Sequence, residues 1–237
     1  MKPVEFSTDG HVAIVSMNSD DNRFNPPFLN ALLSLLDEIE DSTDASVLIV
    51  KSAHEKIFSN GLDLDWLLPH IENARTETIT DFFLQLNRLF KKLLIYPMIT
   101  IAAITGHAFA AGAIMCCAFD FRFMRTDRGY FCLPEVDLGM PFLPGMIALL
   151  KRVIPPYKFE ELQLTGQRLT AEACLEHHII TRACHDSNLM AEALEFAKTL
   201  HKKRGIIREM KIRANRHIIH TLDVEDLPLI QSGRFSY

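Results

Sequence analysis

The sequence lacks an excess of positive charge and any apolar run long enough to cross a bilayer. Its 237 residues carry 25 lysines and arginines against 30 aspartates and glutamates, a formal net charge of -5. This balance gives no reason to expect nucleic-acid binding, although it leaves room for a local cationic pocket. The longest apolar stretch, around 99–119, is interrupted by Gly106, His107 and Gly112, so we expect no membrane span.

Patterns typical of a metal site are also missing. No pair of cysteines has zinc-ligand spacing with a nearby histidine, and no H-E-x-x-H occurs. We therefore expect no metal and read the cysteines as free thiols in a reducing compartment. Glu5 lies early in an N-terminus without an apolar core, and 235–237 match no peroxisomal or endoplasmic-reticulum address. These absences predict a cytoplasmic protein.

Strand and helix patterns alternate in the first part of the chain. An amphipathic pattern over 80–94 predicts a long helix. The predicted strands are 11–17, 46–50, 99–104, 119–124 and 130–132. From Gly145 onward the pattern is almost purely helical, with predicted helices at 146–153, 155–164, 171–177, 188–203 and 206–220. We predict an α/β core over 1–185 and a helical segment over 186–237 within the same structural unit.

Three local segments could carry chemistry. In 58–64 (F-S-N-G-L-D-L), a glycine turn can point backbone N–H groups at a ligand, although a plain tight turn is favoured when it is taken alone. In 106–112 (G-H-A-F-A-A-G), small residues before an apolar helix suit either a developing negative charge or close helix–sheet packing. In 133–141, Glu135 lies among Leu133, Val136 and Leu138. If buried, it would have a raised pKa and suit proton transfer; a surface turn is the alternative.

Together, and in this order, the three segments resemble those of the crotonase, or enoyl-CoA hydratase/isomerase, superfamily. They are similar to its F-S-x-G-x-D-[LI], G-x-x-x-[AG]-[AG]-G and F-x-x-P-E-x-x-[LI]-G motifs, the last over 131–139. The resemblance extends from the first strand to about Gln167. It implies a spiral of β-β-α units, C-terminal helices that help to form a homotrimer or a dimer of trimers, and an acyl-CoA substrate. No separate cofactor is implied, since CoA is part of the substrate.

The resemblance also implies a site. The backbone N–H groups of Leu62 and Ala111 would form an oxyanion hole, and Glu135 would transfer protons. The implied substrate-binding residues are Arg23, Ser59, Asn60, Gly61, Asp63, Trp66, Gly112, Ile114 and Phe142. Arg23 stands where family members place a cation against CoA. The run 202–204 (K-K-R) is a second cationic cluster or a solvated helix end.

Two positions bear on the reaction. Hydratases of the family carry a second glutamate where this chain has Ile114, which cannot bind or deprotonate water. Dienoyl-CoA isomerases carry an aspartate where this chain has Leu143. A single Glu135 suits the isomerisation of 3-enoyl-CoA to 2-trans-enoyl-CoA. One alternative is another acyl-CoA reaction, namely hydration, decarboxylation or hydrolysis, in which Asp137 or His107 could supply a polar group. The other alternative is a non-catalytic CoA-binding subunit.

An apolar tunnel should hold the acyl chain. We expect Trp66 and Phe142 to line it because they lie nearest the motifs, whereas Phe82 and Phe83 fit ordinary core. The further candidates are Leu67, Ile114 and Leu143. We also expect little room after Asp223 for the long terminal helices common in the family.

Overall fold

The computed structural model describes residues 2–233, so residues 235–237, which were compared with targeting addresses above, lie outside the described residues. The strands are β1 (Val4–Asp9), β2 (Val12–Met17), β3 (Val47–Ser52), β4 (Ile57–Ser59), β5 (Ile99–Ile104), β6 (His107–Phe109), β7 (Phe121–Arg125), β8 (Phe131–Cys132), β9 (Arg168–Leu169) and β10 (Arg182–Cys184). The first helices are α1 (Pro26–Ser42), α2 (Leu64–Glu72), α3 (Thr76–Leu94), α4 (Ala111–Ala118), α5 (Glu135–Leu138) and α6 (Pro144–Val153). They are followed by α7 (Pro156–Thr165), α8 (Ala171–Glu176), α9 (Asp186–Lys198), α10 (Arg204–Ala214), α11 (Arg216–His220), a π-helical turn (Thr221–Glu225) and α12 (Asp226–Ser232).

Two sheets organise the chain. The larger has the order β1-β2-β3-β5-β7-β10, and the smaller has the order β4-β6-β8-β9. Strands β1 and β2 form an antiparallel hairpin, and β2, β3, β5, β7 and β10 then run parallel. All six residues of β5 are buried, as expected for a central parallel strand that is covered on both faces.

The chain repeats one structural unit. In β3-β4, β5-β6 and β7-β8, the first strand joins the larger sheet and the second joins the smaller, and a helix follows each pair. Strands β4, β6 and β8 are parallel neighbours. Because the carboxyl ends of parallel neighbours meet at the same edge of a sheet, this order brings the three sequence motifs together.

From Gly145 onward the chain is almost purely helical, as predicted, and two short strands interrupt the helices. Strand β9 pairs with β8, and β10 pairs with β7. The sequence also missed β1, whose polar alternation is that of a largely exposed edge strand, and the three-residue strands β4 and β6. Strands of two or three residues are too short to show a periodicity, so their positions follow from pairing.

The C-terminal helices also differ from expectation. The predicted helix 188–203 ends at Lys198, and 206–220 divides at Asn215. Helix α12 lies beyond Asp223 and has seven residues, so it is a short helix and not one of the long terminal helices for which little room was expected. Arg204 of the cationic run donates to the backbone carbonyls of Glu40, Thr43 and Ala45 at 2.6–2.8 Å, which gives its guanidinium a structural role. No helix within residues 2–233 is long and apolar enough to span a bilayer.

Candidate active site

A cavity of about 70 Å³ opens at the carboxyl ends of β4, β6 and β8. We call it the reaction cavity. It brings Leu62, Ala111 and Glu135 together with Asn60, Ala110 and Pro141, and its remaining lining is apolar: Leu64, Phe83, Ile114, Leu138, Met140, Phe142, Leu143 and Met146. Glu135 is the only titratable side chain among these described lining residues.

Glu135 begins α5 directly after β8 and Pro134. Its Oε2 atom is buried and has no hydrogen-bond partner among the described residues. Burial away from water raises the pKa of this carboxyl group to about 8, because the charged form loses its hydration. This is the raised pKa that the sequence predicts for a buried Glu135. Val136 and Leu138 are each 47% exposed, so residues from other elements that line the cavity add to the apolar surroundings of the carboxyl group.

The first two motifs pack against each other at Gly61. This glycine has a φ of +78°, and a Cβ there would lie 2.8–2.9 Å from Phe109 O, Ala110 Cβ and Ala111 N. Only glycine permits this approach, and the residues that follow it in the two motifs, Leu62 and Ala111, both line the cavity. Within the described part of the chain, neither amide N–H donates a hydrogen bond. Ala111 is the first residue of α4, where N–H groups have no partner in the helix.

A strained residue precedes this amide. Ala110 has a φ of 50° and a ψ of -127°, a conformation that residues with a Cβ rarely adopt. Its own N–H donates to Cys132 O at 3.0 Å, which ties the loop to β8. Gly112 packs so closely on β4 that a Cβ would lie 2.6 Å from Ser59 O. The turn therefore places Ala111, the first residue of α4, at the lining of the cavity.

Other motif residues hold the loop. Ser59 is buried, donates to Asn22 O at 2.8 Å and accepts from Gly61 N at 3.2 Å. Asp63 caps α2 by accepting from Trp66 N and also accepts from Asn25 Nδ2 at 2.8 Å. Ser59 and Asp63 therefore form their hydrogen bonds with other residues of the protein. Of the polar residues in the first motif, Asn60 is the one that lines the reaction cavity.

Arg23 lies beside the reaction cavity, in a shallow polar depression. Its guanidinium forms ion pairs with Asp21 at 3.0 Å and with Asp65 at 2.8 Å. Asp21 also accepts from Asn60 Nδ2 at 3.2 Å, which links the depression to the cavity. A phosphate bound by Arg23 would have to compete with these two carboxylates, so its predicted role against CoA stays a prediction.

The aromatic residues differ from expectation. Trp66 packs against the rings of His70 and Phe82, at 4.4 and 4.9 Å between centroids, and does not line the reaction cavity. Phe83, which the sequence favoured as ordinary core, does line it, as do Phe142 and Ile114. Because the Trp66 ring turns toward α3, it lies outside the reaction cavity, and its predicted place beside the acyl chain stays a prediction.

The sequence reasoning missed Leu64, Met140 and Met146 as lining residues. A signal was present for Met140, since it directly follows the third motif. The polar alternatives lie elsewhere. His107 packs between the rings of Phe109 and Tyr130, and Asp137 is directed toward Gly166. Neither lines the reaction cavity.

Comparisons with known proteins agree with this geometry. The Enoyl-CoA hydratase/isomerase family profile matches residues 7–225. Enoyl-CoA delta isomerase 3 of Arabidopsis thaliana is 34% identical over 171 residues, which is 71% of each chain. Enoyl-CoA delta isomerase 2, peroxisomal, of the same plant is 33% identical over 185 residues, 75% of each. A solved structure of a probable enoyl-CoA hydratase from Mycobacterium tuberculosis H37Rv has a TM-score of 0.87, covering 97% of this chain and 95% of that one, at 21% identity.

Proposed function

We propose a function from one premise: the chain belongs to the enoyl-CoA hydratase/isomerase family, the crotonase superfamily, and within it to the isomerase branch. Its reaction is the isomerisation of 3-enoyl-CoA to 2-trans-enoyl-CoA, with Glu135 as the sole acid and base. One observation carries this proposal. The only titratable side chain that lines the described reaction cavity is Glu135, and Ile114 faces the same cavity.

Isomerisation needs one group that removes a proton and returns it. The Glu135 carboxylate takes a proton from C2, and the C–H electrons delocalise through the carbonyl and the 3,4 double bond as a dienolate. The resulting carboxylic acid protonates C4, and the double bond moves between C2 and C3. Atoms and charges balance without water or a redox partner. The apolar side chain of Ile114 keeps water from competing in this step.

The dienolate carries its charge mainly on the thioester oxygen. The free N–H groups of Leu62 and Ala111 are suited to donate hydrogen bonds to that oxygen, since both residues line the cavity and neither amide has another partner within the described chain. One such fixed donor is typically worth about 10²–10³ in rate. A side-chain substitution cannot remove a backbone donor, which explains why leucine and alanine are tolerated at these positions.

The raised pKa of Glu135, about 8, suits both halves of the transfer. A carboxyl group that titrates near the working pH gains a proton from carbon more readily than an ordinary glutamate, and the acid formed still gives that proton up. A purely binding subunit has no use for a buried carboxyl oxygen without a hydrogen-bond partner, because such a group costs stability. This weighs in favour of an enzyme over a non-catalytic subunit.

The test is a paired assay with purified protein. Conversion of 3-hexenoyl-CoA to the conjugated product is followed beside hydration of 2-hexenoyl-CoA. We expect isomerisation without hydration, and a kcat about 10²–10⁴-fold lower for Glu135→Gln, since that is the usual contribution of a general acid–base. Glu172→Gln, at an exposed position of α8, is the matched control and should retain the wild-type rate. Hydration by the wild type, or full activity of Glu135→Gln, would contradict the proposal.

A further inference from the structure

The segment 21–25 holds the loop that carries the Leu62 amide. Phe24 N donates to Gly61 O at 2.7 Å, and Asp63 N donates to Phe24 O at 3.0 Å, so Phe24 is bonded on both sides of Leu62. Because a trans peptide group is planar, with its C=O and N–H on opposite sides, the bond to Gly61 O also orients the Leu62 N–H, which points away from Phe24. The direction of this N–H therefore depends on how firmly the segment is attached to the loop.

Asp21, at the start of the segment, bonds to Asn60 twice. The backbone O of Asp21 accepts from Asn60 N at 3.1 Å, and its Oδ2 accepts from Asn60 Nδ2 at 3.2 Å. The latter is the one hydrogen bond that the Asn60 side chain forms within residues 2–233. Asn60 lines the reaction cavity and directly precedes Gly61. Asp21 thus fixes both the backbone and the side chain of a residue at the edge of the proposed oxyanion site.

The Asp21 carboxylate is itself held by Arg23. The same Oδ2 atom accepts from the Arg23 guanidinium at 3.0 Å, and the Asp21 side chain is 28% exposed. A hydrogen bond to a charged group is roughly twice as strong as a neutral one, so a carboxylate holds Asn60 more firmly than an uncharged acceptor would. Asp65 pairs with the same guanidinium at 2.8 Å, but it is 89% exposed and forms no hydrogen bond with Asn60.

The turn that places Asp21 has an unfavourable backbone. Asp20 and Asn22, on either side of it, have φ values of 20° and 48°, which residues with a side chain adopt at a cost. Asn22 is fully buried and fixes the turn, since its Nδ2 donates to Phe58 O at 3.0 Å and to Ser52 Oγ at 2.8 Å. Such costs are typical of segments that serve a site.

We infer that Asp21 is a positioning residue for the proposed isomerisation: oriented by Arg23, it fixes Asn60 and thereby the loop whose Leu62 N–H meets the thioester oxygen. The inference rests on the proposed function and adds a residue to it. Asp21 lines the polar depression and not the reaction cavity, so it acts through Asn60. A misplacement of about 1 Å can cost about 10²-fold in rate. Because Phe24 would still hold the loop, we expect the loss of Asp21 to cost less, about tenfold.

The test measures kcat and KM separately for 3-hexenoyl-CoA. Asp21→Ala should lower kcat about tenfold and change KM by less than about twofold, since the charged oxygen forms only in the transition state. The matched control is Asp65→Ala, which removes the same charge and the other ion pair of Arg23 but no contact with Asn60. Its kcat should stay within about twofold of wild type. The midpoint of the pH profile of kcat/KM should be the same in all three proteins, because Glu135 is unchanged.

Asp21→Asn, with Asp65→Asn as its control, replaces the alanine pair if Asp21→Ala does not fold. It should lower kcat about threefold, since a neutral acceptor keeps roughly half the strength of a charged one. Equal kcat values for the variants at 21 and 65, or a loss at 21 that lies in KM alone, overturn the inference and leave the proposed function standing. Absence of isomerisation by the wild type overturns the proposed function, and the inference with it. Thermal unfolding of each variant verifies that it is folded at the assay temperature.

Discussion

The buried carboxyl group of Glu135 makes the stability of the protein depend on pH. Its pKa in the folded protein is about 8, whereas in the unfolded chain it returns to the ordinary value of about 4.3. Between these two values the folded state holds a proton that the unfolded state has released. The contribution of this group to the free energy of unfolding is therefore fully present below pH 4 and is lost as pH rises through 8.

We therefore expect Glu135→Gln to be more stable than wild type at pH 9, by about 1–3 kcal/mol, the usual cost of a buried polar group left unsatisfied. At pH 4 the two proteins should differ little, since both side chains are then neutral. Urea unfolding at pH 4, 7 and 9 measures the difference. If the two stabilities stay parallel across this range, the carboxyl group does not have the raised pKa.

At two small residues of the second motif, Ala110 and Gly112, we expect a side-chain methyl group to be unfavourable. Ala110→Gly removes the Cβ from a backbone with a φ of 50° and should stabilise the fold by about 1 kcal/mol. Gly112→Ala adds a Cβ 2.6 Å from Ser59 O and should destabilise it by about 1–3 kcal/mol. Thermal unfolding of both variants checks the pair. A destabilised Ala110→Gly would show that the turn is not strained.

At the scale of elements, the last helix is joined to the core by a buried carboxylate. Asp226 of α12 accepts from Gly145 N of α6 at 2.7 Å and from Asn87 Nδ2 of α3 at 2.8 Å. Burial raises the pKa of Asp226, and these two donors act against that shift. Helix α6 also carries Met146 of the reaction cavity, so Asp226 connects the C-terminal helix to the wall of the site.

We expect Asp226→Asn to destabilise the protein by about 1–3 kcal/mol, because an amide has one acceptor oxygen where the carboxylate has two, and one of the two donors loses its partner. Asp81→Asn, at an exposed position of α3, serves as the control and should change stability by less than about 0.5 kcal/mol. Urea unfolding reports both. Equal stability of the two variants would mean that α12 is held by its apolar contacts alone.

At the scale of the whole molecule, the site depends on the smaller sheet. Strands β4, β6 and β8 come from parts of the chain about fifty and about twenty residues apart, and each ends at the reaction cavity. The strand that precedes each of them in the chain, β3, β5 or β7, belongs to the larger sheet. Each repeated strand pair therefore contributes one strand to the core and one strand to the site. The predicted homotrimer or dimer of trimers, the division at residue 185 and the cytoplasmic location stay predictions.

The longer helices and strands were predictable because each shows a periodic or apolar pattern over many residues of the sequence. Strand β5 and helix α3 were found from an apolar run and from helical spacing, although α3 begins four residues earlier than predicted since its first turn is exposed. The short strands β4, β6, β9 and β10 were not found, because two or three residues carry no period. The repeated unit of two strands and a helix was also not detectable in the sequence. Its copies share strand pairing and strand direction rather than amino-acid identity.

The sequence by itself determined the family, the carboxyl group available for proton transfer and the small residues that let two backbone amides approach each other. These follow from residue types at short spacings, and a chain retains them before it folds. The tertiary structure alone decided that Phe83 rather than Trp66 lines the cavity, that Arg23 is already paired with two carboxylates, and that apolar residues from separate elements surround Glu135. Side-chain direction, charge pairing and burial arise only when distant segments pack, so no local pattern contains them.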